Sequence, residues 1–181
     1  MTVTYSIRIE GVESTLKTLG QVDKELLNKI KAEVKDEVDK AAVIAKAGYP
    51  SGRAIRNWNN KPTIKPKSGS GFPNYDYNKA RAGVKSVVAK KTASSKKSWK
   101  IAALQQKNAG GVIFDMAGSK TAGNGSGVYF VSKLTGEYGR ASRTMWPAMR
   151  AKQASIVNSI QKGVNKAATE LSLRMIERRG R

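Results

Sequence analysis

The stretch GVIFDMAGSKTAGNGSGVYF, residues 111–130, admits two readings that lead to different folds. An apolar run gives way to small residues and then returns. If the small residues cradle a phosphate, the run before them is a strand in a parallel sheet, and the chain is a nucleotide-binding α/β protein. If they do not, the run belongs to a small antiparallel sheet and the loop is an adaptable tip. The spacing decides against the first. A P-loop needs a glycine immediately before its lysine and another five residues earlier. Here Ser119 precedes Lys120, and residues 113–118 supply no matching frame. Gly123, Gly125 and Gly127 alternate, but a dinucleotide site needs a different third-glycine spacing, a βαβ unit and an acid downstream. Residues 111–116 are therefore read as a strand. Residues 117–127 are read as a glycine-rich loop at a subunit or partner contact, where glycine permits positive φ and close backbone approach.

Working outward, the segments on either side assemble an α+β domain. Thr2 to Ile9 alternates, with Val3, Tyr5, Ile7 and Ile9 on one face of a strand. Residues 82–91 and 98–106 read as two more strands, with Thr92 to Lys97 as a polar, basic hairpin tip. These four strands predict a small, mainly antiparallel sheet. Between the first strand and the rest, Leu16, Leu19, Val22, Leu26, Ile30, Val34, Val38, Ala41 and Ala45 step by three or four. That spacing predicts a long amphipathic helix from Val12 to Lys46, or two helices bent near Gly20. At full length it would reach about 50 Å, long enough to serve a neighbour as well as its own sheet. Val128 to Tyr138 reads as a short helix or turn, and Gly139 to Arg143 as a basic loop. Pro147 suits the first residue of a last helix, whose stripe runs through Met149, Ile156, Ile160, Val164, Ala167, Leu171 and Met175. The 181 residues are expected to form a single domain. Residues 48–80, with four of the five prolines, are expected to form a long arm or loop.

Charge is the strongest compositional signal. Lys and Arg number 34 against 13 Asp and Glu, a formal net charge of +21. Residues 1–39 carry a net −2, so the remaining 142 residues carry +23. Such a field attracts polyanions, whether nucleic acid, acidic protein surfaces or anionic membrane. Arg53, Arg56, Lys61, Lys65 and Lys67 in the arm lie among Trp58, Phe72, Tyr75 and Tyr77, a mixture that suits nucleic-acid or protein contact. Lys90, Lys91, Lys96, Lys97 and Lys100 at the hairpin form a second candidate group facing DNA. Solvated surface is the alternative for every one of them. Trp58, Trp146 and Met149 are candidate packing or interface anchors, and for Trp146 packing within one subunit is equally open.

Other functions lack their residues. The chain has no cysteine and no histidine, which excludes disulfides, Cys- and His-ligated zinc, and catalysis by Ser-His-Asp or Cys-His groups. Asp76, Asp115, Glu137 and Glu170 are widely spaced, and Asp115 among apolar neighbours suits a structural role better than a catalytic one. No cofactor, no metal and no enzymatic activity are expected. No apolar run approaches the length of a membrane span, so a soluble protein of a cytoplasm is expected, without a membrane partner.

Three short motifs in order resemble a known family. The first helix ends in AKAGYPSGRAIRNW (45–58), GGVIFDMAGSK follows (110–120), and RTMWPAMRAK (143–152) opens the last helix. This arrangement resembles the neck and tail-completion proteins of long-tailed bacteriophages, the minor tail protein Z-like group. Pro50, Gly52 and Ile55 parallel that family's Pro-x-Gly-x-Leu-like segment. Asp115 and Gly118 parallel its acid and glycine, and Trp146, Pro147 and Ala148 its aromatic-Pro-Ala helix start. The chain departs from the pattern at Asp115, where Glu is expected, and at Ile55, where Leu is expected. About thirty residues carry the resemblance in detail. It implies a structural virion protein at the head-tail junction, made in the host cytoplasm. Copies of the chain would form a homo-oligomeric ring, joined to neighbouring connector or tail proteins, with DNA passing through non-specifically. An independent, non-specific nucleic-acid-binding protein is the alternative; a DNA-cleaving enzyme is a weaker third.

Overall fold

The computed structural model of the chain describes residues 2–7, 24–56, 58, 73–91, 99–118 and 127–179. In chain order these form β1 (Val3–Ile7), α1 (Lys24–Ala47), α2 (Tyr77–Gly83), β2 (Val84–Lys91), β3 (Trp99–Gln106), α3 (Ala109–Met116), α4 (Gly127–Tyr138) and α5 (Met145–Arg179). The strands make a three-stranded antiparallel sheet in the order β1-β3-β2, so the fold is α+β as the sequence predicts. The predicted helix before Lys24, the residues of the arm at 57 and 59–72, the hairpin tip at 92–97 and the loop residues 119–126 lie outside the described residues.

One expectation is overturned. Residues 111–116 are helical, as part of α3, and not a strand. A six-residue apolar run has no periodicity that separates a buried strand from a buried helix. The ends decide it. Asn108 is the N-cap, its side chain accepting from the Gly111 amide at 2.8 Å. At the other end Gly118 adopts φ +88, the left-handed conformation that commonly follows a helix. Two boundaries also move. The segment read as irregular to residue 80 ends in α2, capped by Asp76, whose carboxylate accepts from the Lys79 amide at 2.9 Å. Helix α5 begins at Met145, which puts Pro147 third rather than first, still in the turn whose amides lack intrahelical partners.

Contacts group the chain into two compact units. The first comprises Met1–Tyr5, Ala42–Lys85 and Leu104–Arg150. Its core is aromatic. Phe114 packs against Tyr49, Tyr75 and Tyr138 with ring centroids 5.6, 5.7 and 5.1 Å away. Trp58 continues the cluster, 5.3 Å from Tyr75 and edge-on to Phe130 at 4.9 Å. The spacing of Phe130, Leu134 and Tyr138 puts them on one face of α4. Two of the polar tips find backbone acceptors, with the Trp58 indole donating to the Pro73 carbonyl at 2.9 Å and the Tyr75 hydroxyl to the Pro50 carbonyl at 2.8 Å. Gln106, fully buried, joins β3 to this core. Its amide donates to the Tyr49 hydroxyl oxygen and the Ala80 carbonyl at 2.8 and 2.9 Å, and its carbonyl accepts from the Asn108 amide.

The second unit comprises Ser6–Ala41, Ser86–Ala103 and Ala151–Arg181. Here α1 buries Leu26, Leu27, Ile30, Val34 and Val38, and α5 buries Ile156, Ile160 and Ala167. The helices meet where Gly163 faces Ile30. Lys29–Glu170 at 3.6 Å and Lys166–Glu33 at 3.8 Å tie them across their polar edges. Such exposed pairs contribute little each, so the apolar stripe carries the stability.

Glycine is required where backbones touch. A Cβ on Gly110 would lie 2.5 Å from the Asn74 carbonyl oxygen, a backbone atom that cannot rotate away. Gly136, on the exposed side of α4, has nothing within 4 Å of its Cβ position. Gly110→Ala should therefore destabilise the protein by about 1–3 kcal/mol through overpacking. Gly136→Ala should stabilise it by about 0.5–1 kcal/mol through helix propensity. Urea unfolding midpoints would check the opposite signs.

Candidate functional site

The polar centre of the first unit lies where α3 ends and α5 begins. Asp115, 1% exposed, sits in the last turn of α3. Its Oδ1 accepts from the Thr144 amide at 2.6 Å, the Thr144 hydroxyl at 2.9 Å and the Met145 amide at 3.3 Å. Its Oδ2 accepts from the Tyr5 hydroxyl of β1 at 2.7 Å. Asp115 is thus a borrowed cap: its negative charge meets the positive end of α5, a helix of 35 residues whose first amides would otherwise lack acceptors.

Arg143 returns the favour one residue before this cap. Its Nη1 donates to the Phe114 and Ala117 carbonyls at 2.7 and 3.1 Å, and its Nε to Gly139 at 3.0 Å. The acceptors at Phe114 and Ala117 lie at the negative C-terminal end of α3. The guanidinium also lies over the Phe114 ring, 5.9 Å from its centroid. The connecting turn bends tightly enough to put Ser142 at φ +68, where its amide reaches the Asp115 carbonyl at 2.6 Å.

Burial dominates the titration of this centre. It raises Tyr5, with the neighbouring Asp115 charge adding to the shift. Burial also pushes Tyr49 up to about 12, against the opposing hydrogen bonds from Thr144 and Gln106. Burial lowers Arg143, and Asp115 partly restores it.

This arrangement has little to offer as a catalyst. Both Asp115 oxygens are occupied by donors, so the carboxylate is not placed to take a proton from a substrate. An external anion would find the end of α5 already filled. Asp76 caps α2, Glu170 pairs with Lys29, and Glu137 is exposed on α4. Among the described residues no group of three or more acids is placed to hold a metal ion, and no helix is long and apolar enough to cross a membrane.

The surface carries a clearer signal. The residue ranges of the first unit hold 15 basic and three acidic residues, a net +12. Asp115 is buried, which leaves Asp76 and Glu137 as that unit's other acids. Among the described residues, no carboxylate lies within ion-pair distance of Arg53, Arg56, Arg81, Lys107, Lys133, Arg140 or Arg150. In the second unit Lys29, Lys35 and Lys40 of α1 pair with acids of the same helix. The first unit's surface thus carries cations without carboxylate partners, whereas three of the lysines of α1 pair within their own helix.

The predicted residues distribute unevenly over this picture. Arg53 and Arg56 are exposed on the first unit. Lys61, Lys65, Lys67, Lys96 and Lys97 lie outside the described residues. Lys90 and Lys91 end β2 and Lys100 lies near the start of β3, the two strands being neighbours in the sheet. Trp58 and Met149 are buried in the core, whereas Trp146 is 44% exposed. Sequence reasoning missed Arg81, Lys133 and Arg150 as surface cations; the available signal was an aromatic residue one helical turn before each.

No family model matches the chain, and no curated protein or solved structure proves similar to it.

Two outcomes follow from the Asp115 centre. Asp115→Asn replaces acceptor capacity with an amide facing donors, and should destabilise the fold by about 2–4 kcal/mol, while Tyr5→Phe should cost about 1 kcal/mol. Chemical unfolding at neutral pH measures both. The raised tyrosines favour the folded state while they are neutral in it. Their contribution is complete below the ordinary tyrosine value of 10.0 and fades as pH climbs toward about 12, where Tyr49 titrates in the fold. Stability should accordingly fall between those limits, with tyrosinate absorbance rising in step with unfolding.

Proposed function

We propose that the chain is a structural virion protein of a tailed bacteriophage, a head-tail connector or tail-completion component. Copies would assemble as a ring and let DNA pass through a basic interior. The observation that carries this reading is the meeting of the three family-like motifs. Residues 45–58, 110–120 and 143–152 are far apart in the chain. Yet Tyr49 packs on Phe114, Gly48 faces Thr144, and Asp115 caps the helix that Trp146, Pro147 and Ala148 open. The three motifs thus build one structural centre, which supports reading them as one architecture.

The charge distribution supports the same reading. A lumen that carries DNA needs cations spread over a surface, without a recognition element, to offset phosphate charge. The unpaired arginines and lysines of the first unit meet that need. Within a ring, neighbours join head to tail through unlike surfaces.

Native mass measurement of nuclease-treated protein at moderate and high salt tests the reading. The expected result is a closed oligomer, about six or twelve copies, at both salts. A monomer at every concentration, with or without portal or tail proteins from the same virion, would remove the ring. DNA affinity should be independent of sequence and fall steeply with salt, as counterion release requires; a sequence-specific footprint would contradict it.

A further inference from the structure

Within the residues of the first unit three helical segments repeat one local device, an aromatic residue followed four positions later by a cation. In α2, the Arg81 guanidinium lies 5.0 Å from the Tyr77 ring centroid and donates to the Tyr77 hydroxyl at 2.9 Å. In α4, the Lys133 ammonium lies 5.7 Å from the Tyr129 ring. In α5, Arg150 follows Trp146 by the same interval, which places the two on one face of the helix. Arg81, Lys133 and Arg150 are exposed, and none has a carboxylate partner among the described residues.

Two of these rings, those of Tyr129 and Trp146, are not core residues that protrude slightly. Tyr129 is 71% exposed and Trp146 44%. The aromatic core beneath is complete without them, being built from Tyr49, Trp58, Tyr75, Phe114, Phe130 and Tyr138. Within α4 the division is sharp: Phe130 goes in against Trp58, and its neighbour Tyr129 goes out to solvent.

An exposed ring beside an unneutralised cation has a specific chemical complement. The ring offers a flat apolar face to a nucleobase, and the cation takes the adjoining phosphate. Duplex DNA hides its base faces by stacking and could use the cations alone. A strand with unstacked bases could use both. An acidic protein surface would fit the charge but would leave the rings without a planar partner. The +12 of this unit selects a polyanion, and the rings select one with accessible bases.

We propose that the first unit binds single-stranded nucleic acid through Tyr129–Lys133 and Trp146–Arg150, each pair holding a base on its ring and a phosphate on its cation. The ring-forming function requires only duplex phosphate contact, and this activity stands apart from it. It holds whether or not copies of the chain assemble.

The test titrates full-length, nuclease-treated protein into labelled oligothymidylate, and separately into a duplex with the same number of phosphates, following anisotropy at moderate salt. The single strand should bind about tenfold more tightly, and Tyr129→Ala and Trp146→Ala should each weaken it about five- to tenfold while changing duplex binding less than about twofold. Trp146→Phe should keep most of the affinity. Both sites are exposed, so the variants should fold, which circular dichroism would check. Equal or tighter duplex binding, equal losses on both ligands, or no binding to either would overturn the proposal. If Trp146→Ala dissolves the oligomer and leaves single-strand affinity unchanged, the surface is a subunit contact: the proposal falls while the ring stands.

Discussion

The exchange of caps between α3 and α5 is the constraint on which the first unit depends. An α-helix ends with unsatisfied carbonyls and begins with unsatisfied amides. Here the end of one helix and the start of another solve both problems with two side chains. Asp115, from the end of α3, supplies the acceptor for α5; Arg143, from just before α5, supplies the donors for α3. Each charge sits at the helix end of opposite polarity, so the dipoles favour the arrangement as well as the hydrogen bonds. Neither residue could be replaced alone without leaving a buried group unpaired, the expensive half of hydrogen-bond energetics.

The same exchange draws in distant chain. Tyr5 reaches Asp115 from β1, so the first strand is tied to the helix junction by a hydroxyl as well as by its place in the sheet. The aromatic cluster around Phe114 begins one residue before Asp115, and Arg143 lies over that ring. Polar and apolar parts of the core are therefore held in register by adjacent residues of one short helix. Shifting α3 by a residue would misplace the carboxylate and the phenyl ring together.

The sequence made the periodic elements legible and hid the short ones. Leu26, Ile30, Val34, Val38, Ala41 and Ala45 step along α1 as read and are buried. Strands β2 and β3 begin within a residue or two of the runs read as strands from residues 82 and 98. Residues 111–116 misled because a short apolar run is the same signal for a buried strand and a buried helix. The apolar surroundings of Asp115 were visible; the groups it caps were not, since they lie 29 and 30 residues further on and only folding brings them to it. Trp58 and Trp146 were indistinguishable as letters. One donates to Pro73 within the core and the other stands in solvent, a difference set by the neighbours each meets.

What separates core from surface in this protein is the treatment of charge. In α1, lysines and acids alternate at helical spacing, so the positive charges there are balanced within the helix. In the first unit one of three acids is withdrawn into the interior, where it acts on a helix end and on a tyrosine. Burying that carboxylate does two things at once: it fixes the junction and leaves the exterior without its counter-charge. The basic surface is thus partly a consequence of how the fold is held together. A substitution that moved the acid outward would weaken both the core and the field that attracts a polyanion.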